Sequence, residues 1–385
     1  MPPSVNPPRR LLLVALAWAL WVWLIALLAA ELTPWLTGPT QWGDDLIRRA
    51  TPLARWDAGW YISIAERGYG SPPQVFGQET NHAFFPLYPL LMRLLARTTG
   101  IETSAAGNLI SAAALFGAVL LFSAWVRARW GEARVRPSLL ALLVFPTSFF
   151  FIAVYTESLF LVLALLAVVS IDRDRPVVAA AAGYLSGLTR ITGVVLAPYL
   201  ALSSLVKSRR EGRSRARALV AALLAGLPPL LGFLTFCAYF EVRFGDPFLF
   251  MKAQHNWGME QKTALDGPRL IATTVWGDVT TGRIFHKSPV RTLEGAFLLL
   301  FAYLAIRLLR EKRWIEALYV LMTIGLVPFT GTLESAGRYV LPAFPAFAVL
   351  AGLAARPALF RAFLLVGLLA QAAYVWVFVN WLWAG

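Results

Sequence analysis

Residues Leu11 to Leu32 form an unbroken apolar run of about 22 residues whose one charge, Glu31, stands at its very end. A helix of that length meets the roughly 20 residues needed to cross about 30 Å of hydrocarbon, so the run commits the chain to a bilayer. Arg9 and Arg10 precede it, as in a signal peptide. The run is too long for a signal core, and no small-x-small site introduces a soluble domain, so it reads as a retained first helix. Comparable runs recur to the end of the chain. Hydrophobic residues make up 58% of the 385 and charged residues 15%, with a mean hydropathy of +0.63. A soluble domain of this size could not hide so much apolar surface. The expected fold is all-α: a polytopic transmembrane helical bundle forming one membrane domain over residues 1–385.

The net charge of +14 invites a nucleic-acid reading, which its distribution argues against. Basic clusters fall in short gaps between apolar runs: Arg9 and Arg10, Arg127–Arg136, Arg173 and Arg175, Lys207–Arg217, Arg307–Arg313 and Arg356–Arg361. Cytoplasmic loops collect Lys and Arg, so these clusters mark the inner face and neighbour anionic lipid. Membrane lipid is therefore the expected partner, and nucleic acid is not. With the clusters inside, the chain starts in the cytoplasm and makes about 11 crossings of a cell membrane. Spans fall near 11–32, 104–126, 218–240, 291–309, 314–330, 338–355 and 359–383, while 137–171 and 177–206 each go out and back. Residues 83–96 are too short to cross alone and read as a half-helix. Two long segments, 33–82 and 241–290, lie outside, with His82, His255 and His286. Loops held by a rigid scaffold usually carry function, so any chemistry is expected on the outer face.

In the first outer loop, Arg55 to Tyr69 reads as a short helix stopped at Gly68. Trp56, Trp60 and Ile64 recur every four residues, a stripe suited to the membrane interface. Asp57 and Tyr61 share a neighbouring face, and Asp57 sits where the helix dipole favours a carboxylate. From the residues alone, a plain cap of an interfacial helix is the simpler reading of Asp57. The loop closes on His82-Ala83-Phe84-Phe85-Pro86-Leu87-Tyr88-Pro89, whose prolines set where the half-helix begins and whose aromatics read as packing. Glu157 and Arg190 each interrupt an apolar run. A charge at membrane depth is costly, which makes both functional candidates, with a mutual structural ion pair as the alternative. Gln254, His255 and Trp257 offer polar groups in the second outer segment. Arg338, beside Tyr339 at an outer helix end, could clamp a phosphate with its guanidinium fork. The histidines lack ligand spacing and Cys237 is the lone cysteine, so no structural metal is expected.

These segments together resemble a known family. Arg55-Trp56-Asp57 through Trp60-Tyr61, Ile64-Ala65 and Gly68-Tyr69, followed by Ala83 to Pro89, is similar to the PIG-V-like mannosyltransferases that build glycosylphosphatidylinositol anchors, in a short prokaryotic form. Phe145–Phe150, Tyr155–Phe160, Gly187–Arg190 with Gly193, Gln254–Trp257, and Ser335 with Arg338-Tyr339 follow in the family's order. The resemblance covers roughly residues 10–350. It implies the GT-C membrane fold and a polyprenyl-phosphate sugar as donor, with no other cofactor. It also implies a base from the first outer loop, which assigns that role to Asp57, with Glu157 beside it as a second catalytic candidate. Trp56, Trp60, Tyr61, His82, Phe85, Tyr88, Arg190, Gln254, His255, Trp257, Arg338 and Tyr339 become candidate substrate contacts. The segment around Gln254 is shorter and less aromatic than in the eukaryotic members. The acceptor, a glycolipid or glycan of the cell envelope, does not carry over.

The residues suit that chemistry. Phosphate is a good leaving group, so one carboxylate suffices to take the acceptor's proton, whereas a glycoside hydrolase typically shows two flanking the bond. Arginines could neutralise the departing phosphate, and attack from the opposite face would invert the anomeric centre. A secondary transporter or flippase for a lipid or sugar is the competing class. Such proteins place polar sites at midplane, often in repeated halves. Here the polar residues gather toward one face and no repeat is visible.

Overall fold

The computed structural model describes residues 8–33, 51–70, 80–255, 289–329, 333 and 335–382. Among them every regular element is helical. The first part of the chain runs α1 (Pro8–Leu32), α2 (Ala58–Arg67), α3 (Leu87–Thr99), α4 (Thr103–Trp130), α5 (Glu132–Leu143), α6 (Glu157–Asp172), α7 (Pro176–Gly187) and α8 (Thr192–Arg210). It continues with α9 (Arg215–Phe244), α10 (Leu249–His255), α11 (Pro289–Arg310), α12 (Trp314–Phe329), α13 (Ala336–Tyr339), α14 (Pro345–Leu350) and α15 (Pro357–Val379). Helical turns of the 3-10 type lie at Asn81–Ala83, Ser148–Phe151 and Ala351–Ala355.

Among the described residues, α1, α4, α9 and α15 are long and apolar enough to cross a membrane. Their surfaces are inverted relative to a soluble protein. On α1 the exposed residues include Leu13, Leu20 and Leu24, while Ala15, Ala26 and Ala29 are buried against the bundle. Lipid tails solvate leucine, and small residues let helix backbones approach. Helices α7 and α9 approach closely. A Cβ at Gly187 would meet the Pro229 carbonyl oxygen at 2.0 Å, and one at Gly232 would meet that of Tyr184 at 2.0 Å.

Helix α6 is the buried centre, packed between α4 and α7. The chain reaches it through the irregular segment from Val144 to Thr156, nearly all of which is buried. Irregular backbone at membrane depth persists only where its polar groups are satisfied within the protein. Gln371 of α15 donates to the Leu143 and Phe145 carbonyls at 3.0 and 2.8 Å. Asn108 of α4 donates to Ile152 at 2.7 Å, and the Val154 amide donates to Leu53 at 3.1 Å.

The expected out-and-back path of 137–171 turns at this segment, and that of 177–206 turns at 188–191. Helix α3, with 13 residues, is about 20 Å long, a half-helix. The expected continuous span over 338–355 is not continuous: Pro342 and Pro345 divide it into α13, a turn and α14. Proline has no amide to bond the preceding turn and its ring crowds that turn's carbonyl, which accounts for the break. Most of the two expected outer segments, with Trp257, His286 and Glu334, lies outside the described residues, as does the His255 side chain.

Candidate functional site

Helix α2 does not begin where its aromatic stripe suggests. Trp56 adopts a left-handed φ of 56° and stands outside the helix, and Asp57 caps it without a side-chain capping bond. The Asp57 carboxylate is turned instead to Arg338, whose Nη1 donates to Oδ2 at 2.7 Å. Arg338 comes from α13, which follows a second left-handed residue, Ser335, at φ 67°. Non-glycine residues held in that region are strained and concentrate at functional sites. Here they flank both partners of one ion pair. Ser335 also accepts from Arg338 Nη2 at 2.8 Å through its hydroxyl, and its amide donates to Glu294 Oε1 of α11 at 3.0 Å. Glu294 thus fixes the turn that delivers Arg338.

A second ion pair lies alongside. Arg190, in the turn between α7 and α8, pairs with Glu157 at the start of α6 and bonds the Thr156 hydroxyl at 3.3 Å. The Arg190 guanidinium lies 5.5 Å from the Tyr339 ring centroid, so α13 contributes to both pairs. Each pair sits within Coulombic reach of the other, Glu157 acting on Arg338 and Arg338 on Arg190. Aromatic rings fill the space between. Tyr155 lies 5.1 Å from the Arg338 guanidinium and donates its hydroxyl to the Arg55 carbonyl at 3.0 Å. Tyr61 packs edge-on to Phe84, Tyr88 and Tyr155. Two buried atoms, Glu157 Oε2 and Arg338 Nε, have no hydrogen-bond partner among the described residues. Buried polar atoms are nearly always partnered, so such orphans in one cluster point to groups that arrive with a ligand.

The structure therefore gathers Asp57, Tyr61, Glu157, Arg190, Arg338 and Tyr339. It places the other candidates around them. Trp60 stacks on Phe84, Ile64 is buried, and Trp56 packs on Trp381, so the stripe lies against protein along its length. Tyr88 is buried one layer deeper, bonded to Gly107 and Ser111 of α4. Phe85 joins a separate aromatic cluster with Phe236, Phe240 and Phe250. His82 touches that cluster through Phe240 and ties the loop together, Nε2 facing the Gly70 carbonyl at 2.9 Å and Nδ1 the Thr80 hydroxyl at 3.0 Å. Since a carbonyl only accepts, the proton sits on Nε2, and Nδ1 accepts from Thr80. Burial holds the imidazole below its ordinary pKa, partly opposed by the Gly70 bond. Gln254 is half-buried on α10, which packs on the turn holding His82. Among the described residues no three His, Cys, Asp or Glu converge as metal ligands. The sequence reading missed Tyr155 and Glu294; Glu294 lies near the start of its apolar run, three residues after Arg291.

Residues 39–257, more than half of the chain, match the mannosyltransferase (PIG-V) family. The chain belongs to that family. The match takes in Asp57, Glu157 and Arg190 and ends before Arg338, so the partner of Asp57 lies outside the matched segment. No curated protein matches the chain in sequence. Among solved structures, the oligosaccharyltransferase of Archaeoglobus fulgidus in its apo form aligns with a TM-score of 0.52 at 15% identity, covering 96% of this chain and 56% of its own. ArnT from Cupriavidus metallidurans bound to undecaprenyl phosphate aligns with a TM-score of 0.48 at 15% identity, covering 97% of this chain and 76% of its own. The chain spans just over half the length of the archaeal enzyme. That likeness extends to the fold, the all-helical GT-C architecture that the PIG-V resemblance implies.

Proposed function

We propose that the chain is an inverting mannosyltransferase that moves a sugar from a polyprenyl-phosphate donor to a lipid- or glycan-linked acceptor at the outer face of the membrane. The observation that carries the reading is the Asp57–Arg338 pair, set beside Glu157–Arg190 in a chain of the PIG-V family. A transferase of this kind needs a base for the acceptor hydroxyl and cations for the leaving phosphate. Here the two are bonded to each other. When donor binds, its phosphate takes over the Arg338 guanidinium, a better match for a bidentate fork than a single carboxylate oxygen. Asp57 is then released toward the acceptor. Its carboxylate takes the hydroxyl proton as that oxygen attacks the anomeric carbon. The carbon–oxygen bond to phosphate breaks on the opposite face, and polyprenyl phosphate leaves on Arg338, with Arg190 close by. Exchange of the ion pair thus couples release of the base to phosphate binding.

The test uses the purified full chain in detergent with polyprenyl-phosphate mannose, and extracted membrane lipids as the source of acceptor. Mannose should pass to the lipid or glycan fraction with inverted configuration, read by NMR of the anomeric proton. Folded protein that binds the donor and leaves it intact with every acceptor fraction would sink the proposal and favour a carrier.

A further inference from the structure

At the end of the bundle opposite Asp57 and Glu157 lies a cavity of about 740 Å³ between α6, α7, α8 and α9. Helix α6 separates the two ends by its 16 residues, about 24 Å. One part of the cavity wall is polar: Asp174, Arg175, Lys207, Glu211, Arg213 and Arg217, with the Ser204 and Ser208 side chains behind them. Both carboxylates are already neutralised. Lys207 pairs with Asp174 at 2.8 Å and Arg213 with Glu211 at 2.9 Å. Arg175 and Arg217 form no ion pair or side-chain hydrogen bond among the described residues, so the cavity carries two uncompensated guanidinium groups.

The adjoining part of the wall is apolar. Val220 and Leu224 line it one and two turns beyond Arg217 on α9, and both are exposed. They continue into the membrane-facing surface of that helix through Leu223 and Leu227. A free phosphate or nucleotide would leave this wall wet, and an apolar chain alone would leave the arginines without a counterion. The combination fits an amphiphile with a phosphate at one end.

We propose that this cavity is a binding site for an anionic glycerophospholipid, its phosphate on Arg175 and Arg217 and an acyl chain along Val220 and Leu224. The site is lined by four helices and differs from the general attraction of basic loops for an anionic leaflet, because two specified cations adjoin an apolar wall. It does not depend on the reaction at Asp57. Occupancy would tie α7 and α9 together at the end remote from the catalytic cluster.

The experiment is native mass spectrometry of the full chain in detergent, titrated with phosphatidylglycerol, phosphatidylcholine or inorganic phosphate. Wild type should retain one phosphatidylglycerol in preference to phosphatidylcholine. The R175A/R217A double variant should weaken that binding ~30-fold, as expected for two guanidinium–phosphate attractions at a membrane surface. Arg310→Ala, a basic substitution outside the cavity, should not. Leu224→Trp should obstruct the chain channel and weaken binding with every charge kept. Equal retention of the two lipids, or unchanged binding in folded R175A/R217A, would overturn the site. Displacement of phosphatidylglycerol by millimolar inorganic phosphate, with Leu224→Trp inert, would also overturn the lipid assignment.

Discussion

Asp57 and Arg338 are 281 residues apart in sequence and bonded at 2.7 Å. Asp57→Asn keeps the shape and one hydrogen bond to Arg338 but cannot accept a proton. Turnover by folded protein should fall roughly 10²–10⁴-fold if Asp57 is the base, while donor binding survives. Glu66→Gln, an exposed change on the same helix, should be neutral. Near-normal transfer by Asp57→Asn with a dead Glu157→Gln would reassign the base to Glu157. Arg338 is 9% exposed, so it cannot be treated as a surface charge. Arg338→Lys should retain part of the activity and Arg338→Ala little, because an ammonium replaces one arm of the fork. Equal transfer rates for all three proteins would remove Arg338 from the mechanism. Much of this cluster was legible in the sequence. Glu157 and Arg190 announced themselves as charges in apolar runs, with a mutual pair as one reading, and they do pair. The partner of Asp57 was not legible as a partner, since no local periodicity reports a contact across the whole chain. Glu294 was not legible either: it lies near the start of its apolar run, where a charge looks like an ordinary helix end.

At the scale of elements, α2 and the turn between α7 and α8 position the site, and each is held by a few identifiable contacts. Arg93 of α3 donates to the Ala65 and Ile64 carbonyls at the end of α2 at 2.6 and 2.8 Å, where Gly68 also stops the helix. Beyond it, His82 latches Gly70 to Thr80 as a neutral ring. Burial lowers the folded-state pKa of His82 from its ordinary value of 6.5, so below that value the unfolded chain binds more protons than the folded one. Stability from this group is therefore present at neutral pH and lost as the pH falls. The melting temperature should drop between about pH 7.5 and about pH 5.5, and His82→Gln should flatten that part of the profile. An unchanged slope in the variant would assign the acid sensitivity elsewhere. At the α7–α9 crossing, Gly232→Ala forces a Cβ to 2.0 Å from the Tyr184 carbonyl. The helices must part, costing about 1–3 kcal/mol and shifting the turn that carries Arg190, so thermal stability and transfer should fall together. Gly325→Ala, with nothing within 4 Å, is the control and should be near neutral. Motif positions and helix stops along these elements could be read from Gly and Pro chemistry. That the Trp56, Trp60 and Ile64 stripe packs on protein could not, because helical spacing defines a face without saying what covers it.

For the whole molecule, the apolar runs dictated a helical membrane bundle, but they did not distinguish a straight span from a broken one. The segment 338–355 shows why. Its composition suits hydrocarbon, yet two prolines divide it, and the buried chain is solvated by neighbouring helices instead of lipid. The two ends of the bundle also differ in charge. Asp57, Glu157, Arg190 and Arg338 cluster at one end as compensated pairs, whereas Arg127, Arg129, Arg173, Arg175, Lys207–Arg217 and Arg307–Arg313 crowd the other. The orientation proposed from the charge rule puts the crowded end in the cytoplasm and the paired cluster outside. This orientation can be checked with single cysteines, because the native Cys237 is buried. Glu66→Cys and Arg213→Cys place a thiol at an exposed position at each end. A membrane-impermeant maleimide applied to intact cells should label position 66 and spare position 213, and permeabilised cells should label both. Labelling of 213 from outside, with 66 protected, would invert the orientation and put the proposed transfer on the cytoplasmic face.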